Sequence, residues 1–296
     1  MSPEATQSFR VDPVELPSEA VLFGSTASMR KIRVKVEDAL GNSIPLLIQG
    51  ESGTGKELIG LFVHAHSILS GGPFLKLNCA AMSNGLLEVE LFGAEKDAAP
   101  GANECKKGAL EVAEGGTLFL DEISEMDLEL QSRLLGVLRD GHFSRVGGKE
   151  KLVAHLRVIC AARNDLEAAV TRRAFRQDLL SSLNSIRIQL PPLRDRREDI
   201  PLICNYLLEK LGRSYGKPTL LLSESALEIL RQWRWPGNMR ELENWIARIV
   251  VFGTEEVLGL EFTRQLASMS TVGQRKHRIA HLRVGTARRT RRPHGG

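Results

Sequence analysis

From Val21 onward the chain alternates between two hydrophobic rhythms. Met29, Ile32, Val36 and Leu40 recur at three- and four-residue steps, the spacing of one helix face, and Ile44 to Ile48 then form a short apolar run that ends at a glycine loop. Similar runs follow at Phe74 to Leu77, Thr117 to Leu120, Leu156 to Ala161 and Ile186 to Leu190, separated by helix-compatible stretches such as Leu128 to Arg139. Near-continuous apolar runs, without polar alternation, are what strands buried on both faces require. Strands that alternate with helices predict an α/β fold, a parallel sheet covered on both sides.

The rhythm changes after Pro191 and Pro192. Strand-like runs stop, and segments 199–212, 223–234 and 238–252 carry helical periodicity, which predicts a small all-helical domain over 194–263 behind an α/β domain over 21–193. The first 20 or so residues hold three prolines without periodicity and predict a flexible leader (1–20). Residues 264–296 have basic side chains but no apolar stripe and predict a disordered arm.

Composition changes this picture at one point. The net charge of +4 is carried by residues 265–296, whose eight Lys and Arg come without an acid, leaving the rest of the chain at −4. The body therefore gives no sign of a nucleic-acid surface, while the arm is either a non-specific, salt-sensitive phosphate binder or an end without a role. No stretch reaches the roughly 18 apolar residues of a membrane span, and the start lacks the apolar core of a secretory signal, so a cytoplasmic protein is expected. The cysteines at 79, 105, 160 and 204 form no CxxC pair; reduced thiols are expected rather than a zinc site or a disulfide framework.

The chemistry is concentrated in two stretches. Gly50-Glu51-Ser52-Gly53-Thr54-Gly55-Lys56-Glu57 fits GxxxxGK and stands between an apolar run and a helix-compatible segment, the context a phosphate-binding loop needs. Its glycines let successive N–H groups turn inward, the following helix N-terminus adds partial positive charge, and Lys56 supplies a point charge for the β- and γ-phosphates. Glu57 stands where most such loops place Ser or Thr for Mg²⁺. Sixty-five residues after Lys56, the run Thr117 to Leu120 ends in Asp121 and Glu122. A strand tip delivers such carboxylates beside the loop of a neighbouring strand, with Asp121 as the Mg²⁺ ligand and Glu122 as the general base for an attacking water. ATP and Mg²⁺ are the cofactors this pairing predicts.

These residues resemble the central AAA+ domain of the sigma-54-dependent transcription activators, the bacterial enhancer-binding proteins. The resemblance runs from about Val21 to Phe262 through GESGTGKE, PFLKLNCAA (73–81), ELFGAEK (90–96), GGTLFLDEI (115–123), LQSRLLGVLRDGHFSRVGG (130–148), LPPLRDRREDIP (190–201) and WPGNMREL (235–242). Glu57 is normal in that family. The resemblance implies a P-loop AAA+ three-layer αβα sheet followed by a helical lid. It also implies an ATPase whose subunits form a ring, usually a hexamer, that remodels sigma-54 RNA polymerase at the promoter.

By the same resemblance Asn78 is the polar partner that restrains Glu122. Arg240 is the lid residue that reaches the γ-phosphate, and Arg176 is the first of two arginines offered to the neighbouring subunit's site. Local sequence agrees for Arg240: Pro236-Gly237 makes a turn, Asn238 is a good N-cap, and Glu241 completes a capping-box pattern. Arg172, Arg173 and Arg176 equally suit a solvated basic face.

The chain departs from the family at several positions. Where the sigma-54 contact loop reads GAFTGA, it has Asp97-Ala98-Ala99-Pro100-Gly101-Ala102, with Ala99 for the aromatic and Pro100 for the threonine. The second arginine position is Ser182, and the Thr-Asn pair after the fourth core strand aligns with Ala162-Arg163, with Asn164 displaced by one. No pair of apolar-striped helices follows Gly259, so no helix-turn-helix is expected, and the leader is too short for a sensory domain. Three readings stand side by side: a ring ATPase acting on sigma-54, a nucleotide-binding but hydrolysis-impaired relative acting by protein contact, and an AAA+ ATPase with another target.

Overall fold

The computed structural model describes residues 15–98 and 104–256. Helices α1 (Glu19–Phe23) and α2 (Ala27–Asp38) lead into β1 (Leu46–Gln49), the phosphate-loop segment and α3 (Lys56–Ala65). Then come β2 (Phe74–Asn78), α4 (Asn84–Phe92), α5 (Ala109–Val112), β3 (Thr117–Asp121) and α6 (Leu128–Asp140). A small hairpin of β4 (His142–Phe143) and β5 (Leu152–Val153) precedes β6 (Arg157–Ala162), α7 (Leu166–Thr171), α8 (Gln177–Leu183) and β7 (Ile186–Gln189). Three longer helices, α9 (Ile200–Tyr215), α10 (Glu224–Gln232) and α11 (Asn238–Phe252), complete the described chain.

Five strands form one parallel sheet in the order β2-β3-β6-β1-β7. Successive side chains along a strand point to opposite faces, so each strand feeds two cores. Leu47, Leu118, Leu120, Val158 and Cys160 pack under α4 to α8, whereas Leu46, Ile48, Phe119, Ile159 and Ala161 pack under α1 to α3. A third core, built on Trp235, Leu242, Ile246, Ile203 and Leu207, holds α9 to α11 together as a separate helical layer.

The five apolar runs read from sequence are the five strands, with ends moved by one or two residues. The expected strand from Ile44 starts at Leu46, because Pro45 has no N–H to give a sheet partner. The hairpin of β4 and β5 escaped the sequence reading, since a two-residue strand has no measurable period. The three lid helices lie within a few residues of their predicted spans. The expected flexible leader overlaps α1, and residues 1–14 lie outside the described residues, as do the basic arm from 264 and the region expected to lack a helix-turn-helix. Among the described residues no helix is long and apolar enough to cross a membrane. The four cysteines are free, with Cys105 exposed and the other three buried.

Candidate functional site

The β1 strand ends at Gln49, and the chain turns through the glycine loop into α3. Gly53 (φ 76°) and Gly55 (φ 97°) sit in the left-handed region that favours glycine, and Gly55 is the residue from which α3 starts. Thr54 Oγ1 donates to Glu51 O at 2.8 Å and tightens the turn. Lys56 is 7% exposed, and its Nζ donates to the carbonyls of Gly50 (2.8 Å) and Glu51 (3.2 Å). Burial pushes the Lys56 ammonium below its ordinary value, while the carboxylates of Glu122 and Asp121 oppose the shift.

The sheet order puts the acidic strand tip within reach of this lysine, because only β6 separates β3 from β1. Asp121 Oδ1 accepts the Glu122 N–H (3.1 Å), and Asp121 Oδ2 lies 4.0 Å from Lys76 Nζ. Lys76 also pairs with Glu57 at 2.5 Å, so one ammonium bridges the first turn of α3 and the tip of β3. Glu122 has a left-handed backbone (φ 53°), which ends the strand there, and its Oε2 accepts the Arg163 N–H at 3.2 Å from the tip of β6. Asn78 is level with Asp121 in the sheet register, but its Oδ1 accepts the Ala80 N–H (3.0 Å), and it makes no hydrogen bond to Glu122.

The helical domain closes over the loop from the other side. Arg194 donates two bonds to the Glu51 carboxylate (2.9 and 2.6 Å), and Asn238 Nδ2 adds a third at 3.2 Å. Those hydrogen bonds, Arg194 first, draw the Glu51 carboxyl down to about 2. Met239 N–H donates to Gly53 O (2.9 Å), and Arg196, buried beneath, donates to Thr54 O (3.3 Å). Arg240, exposed on the first turn of α11, reaches Ser52 Oγ at 3.3 Å.

The expected capping role of Asn238 is not observed. Asn238 is fully buried with φ 52°, its Oδ1 accepts the Leu193 N–H (2.8 Å) and its amide bonds Ser52 O (3.0 Å) and Glu51. The side chain is therefore committed to holding the loop and cannot fold back on its own helix. Glu241 makes the return contact one residue earlier, to the Gly237 N–H at 2.7 Å.

Beside the loop, between α1, α3 and α9, lies an apolar cavity whose walls include Val21, Leu58, Ile203, Tyr206, Leu207 and Met239. Thr54 and Gly55 of the loop also line it, so an apolar planar group there would be continuous with a phosphate chain in the loop. Neither the cavity nor Lys76, Arg194 and Arg196 was assigned a role from the sequence. The two arginines lie in the stretch 190–201 quoted for the family resemblance, but cavity walls drawn from several elements far apart in the chain leave no local pattern.

A family model described as the sigma-54 interaction domain matches residues 22–189, and a second, described as an AAA+ ATPase lid domain, matches 194–278. The chain belongs to the sigma-54 interaction domain family. It is 43% identical over 254 residues to the Nif-specific regulatory protein of Azotobacter vinelandii, covering 86% of this chain and 48% of that protein. It is 44% identical over 246 residues to the DNA-binding transcriptional regulator NtrC of Proteus hauseri, covering 82% and 52%. The crystal structure of NtrX from Brucella abortus in complex with ATP superposes with a TM-score of 0.73 at 34% identity, over 78% of this chain and 50% of that one. The chain thus spans about half the length of the curated relatives it matches. It is an AAA+ domain of the P-loop type, related to sigma-54 regulators.

The remaining positions singled out for this AAA+ domain lie away from its own loop. Arg176 caps the start of α8, pairs with Asp178 through two bonds (3.0 and 2.7 Å), and gives its N–H to Gln131 Oε1. Ser182 Oγ donates to Asp178 O one turn earlier (3.2 Å). Of the contact loop, Asp97 and Ala98 are described, while Ala99, Pro100, Gly101 and Ala102 lie outside the described residues. The base of that loop is fastened: Ala94 and Lys106 exchange backbone bonds (2.9 and 2.8 Å), and Arg145 ties Glu95 and Glu111 together.

Proposed function

We propose that this AAA+ domain hydrolyses ATP to ADP and phosphate between the subunits of a ring, as a transcription regulator that couples the reaction to remodelling of sigma-54 RNA polymerase. The observation that carries the reading is the convergence of Lys56, Asp121, Glu122 and the lid residue Arg240 on the glycine loop, with an apolar cavity beside Thr54 and Gly55. The base would occupy the cavity, and the loop amides from Gly50 to Glu57 with Lys56 and Arg240 would hold the phosphates.

Mg²⁺ would be held by Asp121, with Glu57 nearby, and when bound supplies charge neutralisation at the β- and γ-phosphates. The residues fit that ion, since Mg²⁺ needs only one or two carboxylates beside substrate oxygens, and among the described residues no larger acidic or His/Cys cluster exists. Lys76 holds both carboxylates in place from β2. Glu122 would take the proton of the attacking water once it leaves the Arg163 N–H, and Asn78, at the tip of the adjacent strand, would be the alternative hydrogen-bond partner that restrains it. Arg176 would reach the site of the next subunit after exchanging Asp178 for phosphate, a contribution of about 10³ to 10⁵ in rate for such arginines in other nucleotide hydrolases.

The arrangement predicts Mg²⁺-dependent turnover that rises with protein concentration as rings assemble, in a cytoplasmic homo-oligomer whose size in solution is that of a hexamer. Lys56→Ala and Glu122→Gln should each abolish it, and unchanged turnover in both would overturn the assignment. Ser182, which offers no charge to a neighbour, supports a second reading, a relative that binds ATP tightly and acts by protein contact. Tight binding without hydrolysis at any concentration would select it. Ala99 and Pro100 in the contact loop support an AAA+ ATPase with another target, and capture of sigma-54 in the presence of a transition-state mimic of ATP would exclude that.

A further inference from the structure

Lys76 is a charged residue in the middle of β2, level with Phe119 of β3 in the sheet register. Alternation along the two strands puts Lys76 and Asp121 on the face that Phe74 and Phe119 share with α3. That helix lies close: a Cβ on Gly60 would stand 2.7 Å from the Phe119 ring. The close approach brings the first turn of α3 over the strand tips. Lys76 Nζ therefore meets Glu57 Oε2 at 2.5 Å and lies 4.0 Å from Asp121 Oδ2.

Glu57 follows Lys56 directly, at the position from which a phosphate loop ordinarily turns an oxygen toward its metal ion, and Asp121 is the carboxylate on the other side of that position. The ammonium thus stands between the two oxygens that flank the place of a divalent cation. Other charges nearby have separate commitments. Glu51 is held by Arg194 and Asn238, Glu122 accepts from the Arg163 N–H, and Lys56 donates to loop carbonyls while it feels Glu122 and Asp121 through space. Among the described residues, Lys76 is the one cation within 4.0 Å of Glu57 or Asp121. The three side chains are partly open to water, so this link can be exchanged at small cost. A cation of higher charge that takes the same oxygens must push the ammonium away, because like charges repel at such separations.

We propose that Lys76 is the built-in counter-cation of the metal position. It neutralises Glu57 and Asp121 while no divalent cation is bound, and surrenders them when one binds together with nucleotide. The same residue then has two opposed effects: it favours entry of phosphates without metal, and it weakens the hold on the metal itself. The inference rests on the nucleotide reading above.

The test is calorimetric titration of a non-hydrolysable ATP analogue, in EDTA and in excess Mg²⁺, into the full chain and into Lys76→Met and Lys76→Arg. In Lys76→Met the ratio of affinity with Mg²⁺ to affinity in EDTA should rise by about tenfold or more, since the phosphates meet two unneutralised carboxylates and the metal no longer displaces an ammonium. Lys76→Arg, which keeps the charge, should hold the ratio within about threefold of the unaltered chain. A lysine with a purely structural role would weaken binding equally in both conditions, and one that only positions the carboxylates as ligands would lower the ratio. Either result overturns the proposal, as would an equal rise in the methionine and arginine variants. If the unaltered chain binds the analogue in neither condition, the nucleotide reading fails and this inference falls with it. Equal thermal midpoints establish that folded molecules are compared; should Lys76→Met not fold, Lys76→Gln carries the same expectation.

Discussion

The ion pair between Arg194 and Glu51 is the clearest electrostatic link between the lid and the glycine loop, and its strength has a signature in pH. The folded Glu51 carboxyl titrates at about 2 against an ordinary value of 4.5, through the two Arg194 bonds and the Asn238 amide. A depression of about 2.5 units would correspond to roughly 3.4 kcal/mol at 1.36 kcal/mol per unit. Both side chains are more than a third exposed, 37% and 42%, so water screens the pair. The net value should be about 1 kcal/mol, near the top of the range for exposed pairs because the geometry is bidentate.

A double-mutant cycle with Glu51→Gln and Arg194→Met, which keeps the aliphatic stem of the arginine, isolates that term in urea unfolding. The folded state binds fewer protons than the unfolded one between pH 4.5 and 2. The coupling should therefore be complete above pH 4.5 and decline as the pH falls toward 2. A coupling below about 0.3 kcal/mol at pH 7, or one that disappears near pH 6, would refute the assignment of the Glu51 shift to this pair.

Three further expectations follow from packing. A methyl group at Gly53 would lie 2.4 Å from Gly237 O, on a residue at φ 76°, so Gly53→Ala should cost about 2–3 kcal/mol through backbone strain and loss of the Met239 contact. Hydrogen exchange at the Met239 amide reads it, and protection equal to that of the unaltered chain would contradict it. Val21→Trp, which fills the apolar cavity from its rim, should weaken nucleotide binding at least tenfold with an unchanged thermal midpoint; unaltered affinity would remove the base from that cavity. Asp199, 1% exposed, accepts from the Ser25 and Thr26 amides (2.7 and 3.3 Å) and both hydroxyls (3.2 and 3.1 Å). Asp199→Ala should therefore lower stability by about 2–4 kcal/mol in urea unfolding, with a loss under about 1 kcal/mol counting against the bonds as drawn.

The sequence by itself determined the α/β class, the five strands, the lid helices and the two stretches on which the proposed nucleotide chemistry rests. These are legible because they are local: an apolar run buried on both faces, a helix stripe, and glycines beside a lysine each state their environment within a few residues. The same locality misled at Asn238, whose position after Pro236-Gly237 reads as a helix cap, while its amide is taken by a loop 186 residues away.

Only the tertiary structure decided which groups meet. The order of strands in the sheet brings the tips of β3 and β6 to the end of β1, so Glu122 is held by the backbone of Arg163 and not by Asn78. Docking of the lid joins Arg194, Asn238 and Met239 to the loop, and closes an apolar cavity that belongs to no single segment. Such contacts depend on distances between elements far apart in the chain, and periodicity carries information only about the element in which it occurs.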